Sequence, residues 1–265
     1  YEHFLSEFFG NVIEAVYTDD ESFLVWNARG IIWSEVLETA CQNRFGINLK
    51  SFLPLLVEDL PGYAEVRQNF YSLARELFLD TFIKPQVDWC RRNGLVYTGH
   101  LCGDEGPTRM CIKNFGTTMP YMMVEDIPAI DDYLCELIDH GYLHNPINGP
   151  ESRMLNQGPN KLFTLYPYKC ASSISNQFKD GLVSAEDITY LGWDIQPGFL
   201  NTQMLIELGM GVNLMTPHAY YYTIGDKTKY DSPPSYFTQQ PFYPVFGKRC
   251  ATWTHLAELL MRGKY

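Results

Sequence analysis

Short apolar runs alternate along the chain with longer stretches whose apolar residues recur at helical spacing. The first run is Val12-Ile13-Glu14-Ala15-Val16-Tyr17, which gives way to Thr18-Asp19-Asp20-Glu21. Ser34 is a good helix N-cap, and the helix it opens stops near Gly46. Val66, Phe70, Leu73 and Leu77 share one face of a longer helical pattern. That pattern continues raggedly past Pro85 to a C-terminal stop at Asn93-Gly94. Leu95-Val96-Tyr97-Thr98 reads as the next strand, ending in Gly99-His100. The segment from Ile127 to Tyr133 fits either a strand or a helix start. Dense Gly, Pro and Asn from Asp139 to Asn160 predict a loop. A short helix is expected around Ser173 to Phe178, then a strand, Leu182-Val183-Ser184-Ala185, ending in Glu186-Asp187. Pro197 suits a first helical turn, with Leu200, Met204 and Leu208 as the apolar face and Gly209 and Gly211 as the end. Val212-Asn213-Leu214-Met215 is the last strand, followed by Thr216-Pro217-His218. A Tyr- and Pro-rich loop then leads to a final helix from about Pro244 to Arg262.

Strand and helix in alternation predict an α/β fold, a parallel sheet with crossover helices. Five strand-like runs, with no internal repeat and no linker, predict one domain over residues 1–265. Polar residues come just after the strands: Asp19 and Asp20, His100 and Asp104, Glu186 and Asp187, and His218. The carboxyl ends of parallel strands carry the chemistry in (β/α) barrels, and doubly wound open sheets bind ligands there too. The chain lacks the glycine loops that cradle nucleotide phosphates, which counts against the nucleotide-binding forms of the open sheet.

A net charge of −11 argues against nucleic acid and anionic membrane surfaces as partners, since both select Lys and Arg. No apolar stretch has the length of a bilayer span. The 18 Tyr, 16 Phe and 5 Trp fill a core or line a sugar-binding cleft, where a ring packs on the apolar face of a pyranose. Seven scattered cysteines, Cys41, Cys90, Cys102, Cys111, Cys135, Cys170 and Cys250, form no tight pairs. They fit reduced thiols in a cytoplasmic protein better than a disulfide framework or a zinc cluster. Residue 1 opens inside what reads as a helix, with no charged-then-apolar leader before it.

Two carboxyl groups flanking one bond are the machinery of glycoside hydrolysis: one protonates the leaving oxygen, the other attacks the anomeric carbon or activates water. Asp20 and Glu186, on the ends of different strands of one sheet, are such a pair; solvated loop acids and helix N-caps share the same pattern. His100 and His218 also follow strands, but the spacing of a metal-binding motif is absent, so no metal ligand is assigned. Asp19, His100, Glu105, Asp187 and His218 are candidates to bind sugar hydroxyls or tune proton affinity. Trp193, in Gly192-Trp193-Asp194, and Tyr220 to Tyr222 are candidate stacking surfaces.

The landmarks Tyr17-Thr18-Asp19-Asp20, Asp88-Trp89-Cys90, Tyr97-Thr98-Gly99-His100-Leu101 and Asp126-Ile127-Pro128-Ala129-Ile130-Asp131 carry a family resemblance. Later ones are Ser172-Ser173, Ser184-Ala185-Glu186, Gly192-Trp193-Asp194, Gly211-Val212-Asn213, Pro217-His218 and Gln239-Gln240-Pro241. In order and spacing, over most of the chain, it resembles bacterial glycosyl hydrolase-like proteins related to the α-L-rhamnosidases of glycoside hydrolase family 106. That resemblance implies a partial or irregular (β/α)8 TIM-type barrel, in which this chain holds strands four to eight and a missing N-terminal half or a partner chain completes the ring. It also implies an oligosaccharide or glycoside substrate, Asp20 after the fourth strand and Glu186 after the seventh. No cofactor is required, though some relatives hold calcium near the site. Relatives usually read Thr-Asp-Glu-Pro where this chain has Thr18-Asp19-Asp20-Glu21, so either the shorter Asp20 replaces a glutamate or the register slips to Glu21. With a carboxylate so altered, the alternative to a glycosidase is an inactive carbohydrate-binding or assembly protein on the same scaffold.

Overall fold

A computed structural model of the chain describes residues 1–23, 30–104, 116–131, 165–188, 197–221, 223, 225, 236, 240–241 and 243–262. Five strands, β1 (Ala15–Glu21), β2 (Val96–Leu101), β3 (Ile127–Asp131), β4 (Ser184–Asp187) and β5 (Leu214–Pro217), form one parallel sheet in the order β1-β2-β3-β4-β5. Each strand pairs with the next in the chain, and the order never reverses. A doubly wound sheet requires such a reversal, and none occurs among the described residues. The sheet is a curled, partial α/β barrel with helices on its outer side.

Helices α1 (Glu2–Leu5), α2 (Glu35–Phe45), α3 (Leu49–Val57) and α4 (Tyr63–Phe78) precede β2. A single π turn (Leu79–Ile83) then joins α4 to α5 (Lys84–Arg92). Pro85 has no N–H to close an ordinary helical turn, and the wider turn absorbs the mismatch. The remaining helices are α6 (Met119–Val124), α7 (Tyr166–Phe178), α8 (Pro197–Met210) and α9 (Tyr243–Arg262). Local chemistry accounts for several of these limits. Ser34 Oγ accepts the Leu37 N–H at 3.0 Å, and Gly46 leaves α2 in the left-handed conformation. The chain reading missed α3, which carries Pro54 inside it, and placed the start of α7 seven residues late.

The strands alternate as β geometry demands. Tyr97 and Leu101 of β2 point outward and pack with Leu79, Ile83, Val87 and Cys90 of the α4–α5 stretch. Ile130 and Ala185 meet Ile174 and Ala171 of α7, and Met215 meets Leu200, Met204 and Trp253 of α8 and α9. A fourth apolar cluster lies wholly among α2, α3 and α4 around Phe70 and Leu73. Burying each such aliphatic side chain contributes about 1.5–3 kcal/mol. The opposite face of the sheet is left for polar side chains, and it is there that the site lies. The segment 127–133 resolves as strand only to Asp131, and the loop expected over 139–160 lies outside the described residues. No disulfide links the described cysteines, and among the described residues no helix is long and apolar enough to cross a membrane.

Candidate active site

β1, β2 and β4 run two to four residues further than their apolar runs, so several of the charged residues expected after the strands are the last residues of the strands themselves, while Asp104 and His218 lie beyond β2 and β5. Asp19 and Asp20 lie within β1, His100 within β2, and Glu186 and Asp187 close β4. Strand pairing therefore fixes where each one points.

His100 is the hub. Its ring is buried, yet Nε2 lies 2.8 Å from Glu186 Oε2 and 3.0 Å from Asp19 Oδ1. On the other nitrogen, Nδ1 stands 3.7 Å from Asp20 Oδ1, a charge contact too long for a hydrogen bond. His218, just beyond β5, brings Nε2 to 3.7 Å from Glu186 Oε1. The Tyr17 ring packs against the His100 ring at 5.8 Å between centroids. Glu21 forms no ion pair with His100, so the register of β1 presents Asp19 and Asp20 to the imidazole.

A β-bulge brings two adjacent acids to one histidine. Thr18 pairs with Gly99 and Glu21 pairs with Leu101, which leaves Asp19 and Asp20 together opposite His100. Asp20 takes the left-handed conformation, φ +56°, that the extra residue needs. Among non-glycine residues Asp is one of the few that tolerate it, which is a local reason for aspartate at this position. Without the bulge, successive side chains would point to opposite faces of the sheet and only one could reach the ring.

The electrostatics follow from this packing. Burial by itself would lower the proton affinity of His100; hydrogen bonds to Asp19 and Glu186 and the charges of Asp131 and Asp104 outweigh it and hold the imidazole well above its usual range. The bond from His100 lowers Asp19 in turn, against the cost of its partial burial. Burial and the surrounding carboxylates push the Tyr17 hydroxyl far up, so it stays a neutral phenol. The rim thus carries an imidazolium held among carboxylates, with Asp19 71 % and Asp20 46 % exposed to the cleft and Glu186 only 15 %.

Two further residues belong to this cluster. Asp131 ends β3 directly opposite Glu186, and Asp104 is buried with its carboxyl oxygens on the N–H groups of Leu101 and Asp131. Asp131 closed a motif legible in the chain; only the pairing of β3 with β4 reveals its place beside Glu186. Asp187 is turned away. It alternates to the outer face, lies fully buried, and its charge reaches Cys250 of α9. Tyr220 is 61 % exposed on the segment after β5, while Tyr221 meets the His218 ring edge-on at 6.1 Å. Glu105, Trp193 and Tyr222 lie outside the described residues.

Asp19, Asp20 and His100 each offer one ligand atom within 4.8 Å of the others. Calcium takes six to eight oxygen ligands. Here one of the three donors is an imidazole nitrogen and not an oxygen. This donor set does not fit calcium.

No protein-family model and no curated protein matches the chain. Among solved structures it is similar to a rhamnosidase from Novosphingobium sp. PP1Y, with a TM-score of 0.65 at 19% identity. The likeness covers 98% of this chain and 23% of that one, so the chain spans under a quarter of that enzyme's length. At this identity the likeness shows a rhamnosidase-like fold.

Proposed function

We propose that this chain contributes strands four to eight of a TIM-type barrel and the catalytic rim of a glycoside hydrolase acting on glycans, with α-L-rhamnosides as the first substrates to test. One observation carries the reading: carboxylates from two separate strands, Asp19 and Asp20 on β1 and Glu186 on β4, meet at a single buried imidazole on the carboxyl rim of a parallel sheet. Glu186, held by the charged His100, is the carboxylate that takes the proton of the attacking water. Asp20, protonated in the reacting form, gives its proton to the leaving oxygen as the glycosidic bond breaks and is left as the carboxylate. Asp20 approaches Nδ1 and Glu186 approaches Nε2 of the same imidazole, and an inverting pair stands about 6.5–9.5 Å apart. Asp19 and Glu186 share one nitrogen and are no farther apart than their two bonds laid end to end, which leaves little room for a water between them. Asp19, His100 and His218 orient the pair and bind hydroxyls, with Tyr220 as a stacking surface beside them.

The test is turnover of a panel of aryl glycosides, α-L-rhamnoside included, by the full-length gene product and its Glu186→Gln variant. Glutamine keeps the shape but neither accepts nor donates the catalytic proton. We expect kcat to fall at least about a hundredfold, the lower end for general acid–base catalysis, with folding unchanged. Full turnover by a folded Glu186→Gln variant would remove Glu186 from the mechanism. Oligosaccharide binding with no turnover by the unmutated protein would favour the inactive carbohydrate-binding reading.

A further inference from the structure

The β2–β3 ladder is the weak seam of the sheet. It holds Thr98 against Ile127 and Gly99 against Pro128 and then stops. Pro128 has no N–H with which to carry it further. Beyond that point β2 follows β1, with Leu101 opposite Glu21, while β3 follows β4, with Asp131 opposite Glu186. Past that point no ladder pair joins the two strands, which leaves a gap in the ladder flanked by His100 and Asp131.

Asp104 fills that gap. The chain turns back after β2, with the Asp104 N–H on the Leu101 carbonyl at 3.2 Å and Gly103 in the left-handed conformation. The turn inserts a carboxyl that is 2 % exposed. One oxygen accepts the Asp131 N–H at 3.2 Å and the other the Leu101 N–H at 3.4 Å, so a side chain replaces the missing ladder. Take it away, and two buried amides lose this acceptor at the level of the site.

We propose that Asp104 is a positioning residue of this site: its carboxyl clamps the parted ends of β2 and β3 and so holds His100 within bonding distance of Glu186. The proposal rests on the rim being the functional site, but it acts through geometry and is read without turnover. The groups facing His100 are Tyr17, Asp19 and Asp20 of β1, Asp104 itself, Asp131 of β3, Glu186 of β4 and, through Glu186, His218. A change in the clamp alters how the ring sits among all of them.

The experiment is NMR on the unmutated chain and on Asp104→Asn and Asp104→Ala, with amide hydrogen exchange followed residue by residue and the His100 ring nitrogens followed against pH. In Asp104→Ala the Leu101 and Asp131 amides should exchange at least about tenfold faster, those of Ala185 and Met215 should keep their rates, and His100 should release its proton at lower pH than in Asp104→Asn, which loses the same charge but keeps one bond. In Asp104→Asn the amide oxygen still accepts one N–H, so the two rim amides should separate, one protected and one not. Faster exchange with the same His100 titration in both variants would reduce Asp104 to a structural tie and overturn the proposal, as would unchanged exchange. If neither variant folds, the unmutated protein decides. Burial, against the pull of His100 and the two amides, raises the Asp104 carboxyl to about 7. In the unmutated chain the Leu101 and Asp131 amides should be protected from exchange, and exchange of either at the rate of an unbonded amide would reject the clamp.

Discussion

Gly99→Ala tests the close contact that sets β1 against β2, and it needs no substrate. A methyl at Gly99 would stand 2.3 Å from both the Thr18 carbonyl oxygen and the Thr18 Oγ1, and 2.9 Å from the Thr18 nitrogen. Two of those three atoms are backbone of the neighbouring strand, so no rotamer change relieves the overlap; β1 itself has to retreat. The Thr18 hydroxyl is also engaged, 3.1 Å from the Tyr97 hydroxyl. In addition, Gly99 has φ +154°, which L side chains seldom adopt. Overpacking of this kind costs about 1–3 kcal/mol, and a residue held in a sparsely populated backbone region about 1–3 more. Together they come to about 2–6 kcal/mol, a large part of the 5–15 kcal/mol that holds a typical domain folded. In urea unfolding followed by tryptophan fluorescence, with m of roughly 3 kcal/mol/M, the midpoint should fall by about 0.7–2 M at unchanged m. Gly198→Ala is the control: no atom lies within 4 Å of its added methyl and its backbone is ordinary helix, so it should be neutral or stabilise by up to about 1 kcal/mol. A Gly99→Ala midpoint equal to that of the unmutated protein would refute the contact. The bulge that presents Asp19 and Asp20 to His100 would then lose its structural basis, because Gly99 is the last paired residue before it.

Other expectations need only stability measurements. Ser34→Ala removes the side-chain acceptor of the Leu37 N–H and should cost about 1 kcal/mol in the same unfolding assay. Asp126→Ala should cost about 1–3 kcal/mol and Arg91→Ala under about 1, because one Asp126 oxygen accepts the part-buried Tyr97 N–H while Arg91 supplies only an exposed ion pair to the other; equal losses would contradict this division. Stability against pH should carry the mark of Asp104. Its carboxyl is raised from 3.8 to about 7, so between those values the folded chain holds a proton the unfolded chain has lost, and stability falls as pH rises. A rise of that size corresponds to ~4 kcal/mol across the window. Asp104→Asn should flatten the fall, and an identical slope in the variant would show that Asp104 does not titrate there.

Several helices were legible in the chain because their determinants are local, while α3 and α6 were not. Ser34 caps a neighbour three residues on, and Gly46 takes the left-handed turn that ends α2. Leu200, Met204 and Leu208 recur at the helical period and are all buried. The alternation of strand and helix was enough to predict a parallel sheet, since a crossover helix joins parallel neighbours. Tertiary structure decided the order of those strands and hence a curled partial barrel over an open wound sheet. It also decided the ends of the strands, which composition marks as loops: Asp19, Asp20, His100 and Glu186 remain in β structure because neighbouring strands and one another's charges hold them there. Asp187 carries the same chemistry as Glu186 one residue away, yet alternation turns it under the helices. Asp19 and Asp20, adjacent as well, both reach one ring because a bulge interrupts that alternation. Which face a strand residue takes is set by register with partners distant in the chain, Gly99 for Thr18 and Asp131 for Glu186. Residue order alone therefore named the acids of this rim, but pairing across the sheet chose which of them meet.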